Sequence, residues 1–104
     1  MGFGCYRVSA EVQTHRDALR AALGAGCNLI DTSTNYTDGQ SERLVGEVLA
    51  HEIEATALSR DEVVVVSKIG YAQGQNLTLA VRRAVADQPF PQMIQYADGL
   101  WHCI

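Results

Sequence analysis

Val63-Val64-Val65-Val66-Ser67-Lys68 is the stretch that decides the fold. Four β-branched residues in a row are stiff at χ1, and an unbroken apolar run of this kind predicts a strand buried on both faces. Upstream, Cys27 to Ile30 is a second short and mostly apolar run, closed by Asp31, and Gly2-Phe3-Gly4-Cys5-Tyr6 reads as a first. Helical patterns fill the gaps. Thr14-His15-Arg16-Asp17 reads as a helix start, with a hydroxyl cap and an acid three residues on. Ala18, Leu19, Ala22 and Leu23 follow at helical spacing, and Gly24 and Gly26 stop the helix. Ser41 reads as the cap of a second helix with Leu44, Val45, Val48 and Leu49 on one face. Beyond the valines, Gly70 to Gln75 reads as a loop. Asn76 then caps a third helix through Leu77, Ala80, Val81, Ala84 and Val85, ended by Pro89 and Pro91.

Strand and helix therefore alternate three times. Strand starts near residues 2, 27 and 63 are spaced by about 25 and 36 residues, close to the ~30 of a strand–helix–strand unit. Alternation with apolar strands predicts an α/β protein with a parallel sheet covered by helices. Three parallel strands leave two open edges, which favour self-association. The last stretch, Met93 to Ile104, has no clear period and stops on Leu100-Trp101-His102-Cys103-Ile104 without a polar tail. It reads as part of a larger fold.

The 104 residues carry 12 acidic and 8 basic side chains, a formal charge of −4, and 47% hydrophobic residues. That apolar content excludes wholesale disorder, and the acidic balance speaks against a nucleic-acid or anionic-membrane binder. No apolar run approaches the ~18 residues of a membrane span, and no charged-then-apolar leader opens the chain. Tyr6 stands where a myristoylation motif wants Ser or Thr. The expectation is a soluble, cytoplasmic protein. Cys5, Cys27 and Cys103 are an odd number without a CxxC pair, so structural thiols are expected rather than disulfides or a metal site. The sequons at Asn35 and Asn76 carry no weight without a secretion signal.

In a parallel α/β fold, functional groups gather at the carboxyl ends of the strands. Asp31 and Lys68 lie there, and Lys68 is the only lysine beside seven arginines. A lysine at the end of an apolar strand needs a partner, and Asp31 is the natural one. Such a pair is also what a plain salt bridge between two strand ends looks like. Tyr36 adds chemistry to it, five residues past Asp31 in a polar loop. A phenol has a pKa near 10 and is a poor proton donor at neutral pH, and a neighbouring ammonium lowers that value. Asp31, Tyr36 and Lys68 together make a general acid with its tuner and orienter.

Three stretches then resemble the aldo-keto reductase family. Asp31-Thr32-Ser33-Thr34-Asn35-Tyr36 with Gly39-Gln40-Ser41-Glu42-Arg43-Leu44-Val45-Gly46 is similar to that family's second strand, loop and helix. Gly2-Phe3-Gly4-Cys5-Tyr6 resembles its first barrel strand, and Arg60 to Lys68 its third. The resemblance covers residues 2 to about 75. It implies that residues 1–104 are the N-terminal part of an aldo-keto reductase domain: the first three β/α units of a (β/α)8 TIM barrel of about 250 residues, apparently truncated.

The resemblance further implies reduction of an aldehyde or ketone with NADPH. Tyr36 would protonate the carbonyl oxygen, Lys68 would tune it, and Asp31 would hold Lys68. Gly4, Cys5, Tyr6 and Asp31 would face the nicotinamide, with Cys5 standing where a threonine or another small residue is usual. Gly2-Phe3-Gly4 is no dinucleotide fingerprint, because GxGxxG is incomplete. The family's fourth catalytic residue is a histidine ending the next strand. His102 lies 34 residues past Lys68 but follows Tyr96-Ala97-Asp98-Gly99-Leu100-Trp101, the wrong context for that strand. His15 and His51 fall on predicted helices as surface residues, and Glu42 reads as a first-turn acid. The 104 residues alone are expected to be inactive. The alternative is a non-catalytic half-barrel that works by association with itself or a partner.

Overall fold

In the computed structural model, which describes residues 1–103, strands and helices alternate from the first residues. The order is β1 (Gly2–Gly4), α1 (Gln13–Gly24), β2 (Leu29–Asp31), α2 (Gln40–Glu54), β3 (Val64–Val66), β4 (Tyr71–Ala72), α3 (Gly74–Val85), β5 (Met93–Ala97) and β6 (Leu100–Cys103). The chain divides into two compact units, Met1–Lys68 and Ile69–Ile104.

The first unit is a parallel sheet in the order β1-β2-β3. Gly4 pairs with Asp31, and Asp31 with Val66, so the carboxyl ends of all three strands fall in one row. Helices α1 and α2 supply one core with the sheet. Leu19, Ile30 and Leu44 are fully buried in it, with Cys5, Val45, Val48, Leu49 and Val63. The helical face read in α2 is the buried one throughout. Ion pairs from Arg16 to Glu47 and from Arg20 to Glu52 join the outer faces of α1 and α2. Arg20 beside it holds the Glu52 carboxyl below the usual range, yet exposed pairs of this kind contribute little, and burial holds the helices together.

The valine run is not buried on both faces. Val63 and Val65 turn toward the core, whereas Val64 is 57% exposed and Val66 and Leu29 each 41%. Side chains alternate across a strand, and the helices cover only one side of this sheet. The predicted caps also move. α1 starts at Gln13 behind Val12, α2 at Gln40 behind Gly39, and α3 at Gly74 behind Gln73, none with a side-chain cap bond. Thr14, Ser41 and Asn76 are thus inside the first turns. At α2 the reason is tertiary, because the Ser41 hydroxyl is engaged inward rather than on its own helix. The glycine stop of α1 holds: Gly26, at φ 87°, donates to Leu23 O at 2.9 Å.

The second unit departs furthest from the sequence pattern. Gly70 to Gln75 contains β4, and Met93 to Cys103 forms an antiparallel hairpin, giving a sheet in the order β4-β6-β5. Asp98-Gly99 makes the turn, with Gly99 at φ 71°. A register shift between Gln95 and Ala97 breaks the alternation that would have marked β5. Ala72, Ala80 and Trp101 form its small core, with Leu77, Ala84, Phe90 and Met93 against it. Val81 and Val85, read as apolar-face residues, are exposed.

Leu19 touches the first unit's core from the middle of α1. Leu19→Ala is expected to destabilise that unit by about 2–5 kcal/mol, read as a lower urea midpoint with circular dichroism.

Candidate active site

The row of strand ends sets the site. Beyond Asp31 the ladder runs one residue further on each side: Cys5 N–H donates to Asp31 O at 2.9 Å, and Thr32 N–H to Val66 O at 2.8 Å. The three chain segments then leave the sheet side by side, carrying Tyr6, Asp31 to Tyr36, and Lys68.

Three of the residues read from the sequence converge. Lys68 Nζ donates to Asp31 Oδ1 at 2.5 Å. The same ammonium stands 5.0 Å from the centre of the Tyr36 ring. The Asp31 hydrogen bond holds the Lys68 ammonium above the ordinary lysine value of 10.5, against the opposing desolvation and with a lesser contribution from Tyr36. Folding raises this pKa, so the pair's contribution to stability is complete below pH 10.5 and is lost as pH rises through the folded value. Both side chains are about half exposed, so that contribution is heavily screened.

Tyr6 packs edge-to-face on Tyr36, ring centres 5.2 Å apart at 84°. Gly4 is exposed at the end of β1, and a Cβ built there would meet nothing within 4 Å. Cys5 turns the other way. Its thiol is fully buried, and burial, with Asp31 adding to it, pushes its pKa up to about 11. Gly4 and Tyr6 therefore face open space while the Cys5 side chain belongs to the core.

Tyr36 opens a short 3-10 turn, Tyr36–Gly39. Thr37 at φ 49°, Asp38 at φ 53° and Gly39 at φ 89° lie consecutively in the left-handed region. For the β-branched Thr37 this is uncommon, and such residues cost about 1–3 kcal/mol each. The sharp reversal lets Tyr36 project at the strand ends while α2 begins four residues later.

A buried hydroxyl relay under the site is legible only in three dimensions. Ser41 Oγ donates to Cys5 O at 3.0 Å, and Thr32 Oγ1 lies 2.7 Å from Ser41 Oγ. With the Ser41 proton committed to Cys5, Thr32 is the donor to Ser41. Ser41, Thr32 and Cys5 are all buried, so this chain pins the start of α2 to the ends of β1 and β2. The adjacent Glu42 accepts from Ser67 Oγ, linking the same helix end to the segment that carries Lys68.

His15 and His51 are engaged elsewhere in the first unit. His15 Nδ1 accepts from Ser9 N–H at 3.1 Å, and His51 pairs with Glu52. His102 lies in the second unit on β6, paired with Tyr71 in register and edge-to-face with its ring at 5.0 Å. Among the described residues, no three His, Cys, Asp or Glu side chains are grouped to hold a metal ion, and no helix is long and apolar enough to cross a membrane.

A parallel sheet whose strand ends bring Asp31, Tyr36 and Lys68 together is an α/β arrangement with a candidate site at its carboxyl edge. The aldo/keto reductase family model matches residues 1–90, and the chain belongs to that family. It is 30% identical over 89 residues to an NADPH-dependent D-xylose reductase of Meyerozyma guilliermondii, covering 84% of this chain and 26% of that protein. It is 41% identical over 61 residues to the methylglyoxal reductase YeaE of Escherichia coli, covering 59% of this chain and 19% of that protein. An aldo-keto reductase solved in complex with NADPH shares the fold, with a TM-score of 0.54 at 19% identity, over 82% of this chain and 27% of its own. The chain thus spans about a quarter of the length of the D-xylose reductase.

The relay makes a direct prediction. Ser41→Ala leaves Thr32 without its acceptor and Cys5 O with only the Val8 N–H, and is expected to cost about 1–3 kcal/mol, read by denaturant unfolding.

Proposed function

We propose that this chain is the N-terminal part of an NADPH-dependent carbonyl reductase, with residues 1–104 supplying the first three β/α units of a (β/α)8 barrel. The observation that carries the reading is the convergence of Asp31, Tyr36 and Lys68 at the ends of adjacent parallel strands. The relatives' names agree with it, since both are reductases and one is NADPH-dependent.

The open end of β1 fits the nicotinamide. Gly4 leaves free space there, the Tyr6 ring is exposed beside it, and Asp31 is half exposed. Cys5, being buried, would contribute through its backbone alone. When bound, NADPH supplies the hydride that goes to the carbonyl carbon of an aldehyde or ketone and is left as NADP+. Tyr36 gives its hydroxyl proton to the carbonyl oxygen, so the product is the alcohol and Tyr36 is left as phenolate. Lys68 stabilises that phenolate by its positive charge, and Asp31 keeps the ammonium in place and charged. Water then returns the proton to Tyr36.

The 104 residues by themselves do not turn over substrate in this reading, because they hold only the nicotinamide end of the cofactor site. In the protein expressed from its complete reading frame, Tyr36→Phe is expected to lower kcat for aldehyde reduction by about 10²–10⁴-fold, followed as loss of NADPH absorbance. Unchanged turnover would overturn the assignment.

A second reading rests on the exposed side of the first sheet, where Leu29, Val64 and Val66 face solvent and β1 and β3 are both edges. Here the chain is a half-barrel that acts by association through those edges. Sedimentation of the 104-residue chain separates the two: a defined oligomer favours association, and a compact monomer counts against it.

A further inference from the structure

The Lys68 side chain is held at its tip by Asp31, yet a lysine has four rotatable side-chain bonds and a tip contact alone leaves its base free to wander. The base is held too. The carbonyl oxygen of Lys68 accepts three hydrogen bonds: from Ser33 Oγ at 3.2 Å, from Thr34 Oγ1 at 3.1 Å and from Thr34 N–H at 3.2 Å. All three donors come from the segment that leaves β2 toward Tyr36. Ser33 serves both directions, because its own carbonyl accepts the Tyr36 N–H at 3.2 Å and its hydroxyl accepts the Asn35 N–H at 3.4 Å. Ser33 itself is buried, so its end of these bonds is shielded from bulk water.

We infer that Ser33 and Thr34 are positioning residues, a hydroxyl clamp that fixes the backbone of Lys68 against the turn carrying Tyr36. The clamp rests on the role of Lys68 proposed above, and it explains a feature that role leaves open. Lys68 lies two residues beyond the last residue of β3, where one backbone bond, from Thr34 N–H, is all that continues the pairing. Asp31 cannot set the path of the chain there, since it touches only the far end of the side chain. Ser33 and Thr34 reinforce that single backbone bond with two side-chain donors and couple the acid's turn to its tuner's backbone. A two-point hold, base and tip, confines the ammonium beside the Tyr36 ring.

Lys68 is the only lysine of the 104 residues, so labelling lysine with ¹³C at Cε yields a single resonance to titrate. In the unaltered chain its midpoint is expected above that of free lysine. D31N, which removes the partner at the tip, calibrates the largest fall. The clamp predicts that S33A/T34V lowers the midpoint by at least half the D31N displacement, and that S33T/T34S, which keeps both hydroxyls, restores it. Should the double variant fail to fold, S33A alone is read in the same way and gives a smaller fall in the same direction. A lower melting temperature with the Lys68 midpoint unmoved would mean that the two hydroxyls only support the loop, and would overturn the clamp. If D31N moves the midpoint and S33A/T34V does not, the clamp fails while the Asp31–Lys68 pair stands. If neither moves it, pair and clamp fail together. The catalytic reading is decided separately, by Tyr36→Phe.

Discussion

Parallel pairing of β2 with both of its neighbours is the constraint on which the site depends. Each strand is only three residues long, and the register that sets Gly4 beside Asp31 and Asp31 beside Val66 ends all three at one level. In a parallel sheet every carboxyl end lies on the same side, so the three departing segments emerge together. Asp31 is a strand residue, and the strand places it. Tyr36 and Lys68 lie beyond the ladder, and their positions depend on what holds the chain after it leaves the sheet.

Hydroxyl side chains share that holding with the N–H groups of Thr34 and Tyr36. Thr32 reaches back to Ser41 and thereby to Cys5 O, while Ser33 and Thr34 reach across to Lys68 O. Backbone groups that lose their ladder partners need others, and short hydroxyl side chains provide them close to the main chain. The left-handed Thr37, Asp38 and Gly39 form a strained reversal that this network sustains. The strain sits immediately after Tyr36, where the chain must present a ring at the strand ends and start a helix within four residues.

Chemistry in the first unit follows one logic of environment. Charged groups stay at the wet rim, with Asp31 and Lys68 about half exposed and paired. Neutral hydroxyls and the Cys5 thiol lie beneath them, buried and hydrogen-bonded or kept protonated by burial. Charges at a rim remain able to respond to a ligand, whereas fully buried ones would carry a heavy desolvation penalty. The second unit is built differently, from an antiparallel hairpin and one helix around Trp101, and its histidine is engaged with Tyr71.

The amino-acid order alone was enough for the alternation of the first unit, the buried face of α2, and the convergence in space of Asp31, Tyr36 and Lys68. These are features of local periodicity and of residue type at strand ends, which are written along the chain. It misjudged the burial of the valine run, because an apolar run does not record how many faces its neighbours cover. It missed β4, β5 and β6 for a related reason: two-residue β4 is too short to show a period, and the shift near Gln95 scrambles the alternation of β5. The caps at Thr14, Ser41 and Asn76 failed because each helix starts two or three residues earlier than read, and the Ser41 hydroxyl, with a choice between its own helix and a distant carbonyl, takes the carbonyl. Only the folded chain decides that choice, since Ser41 meets Cys5 O from 36 residues away and Ser33 meets Lys68 O from 35. Residue types can be read in order, but hydrogen bonds between segments exist only once the parallel register has brought the strand ends together.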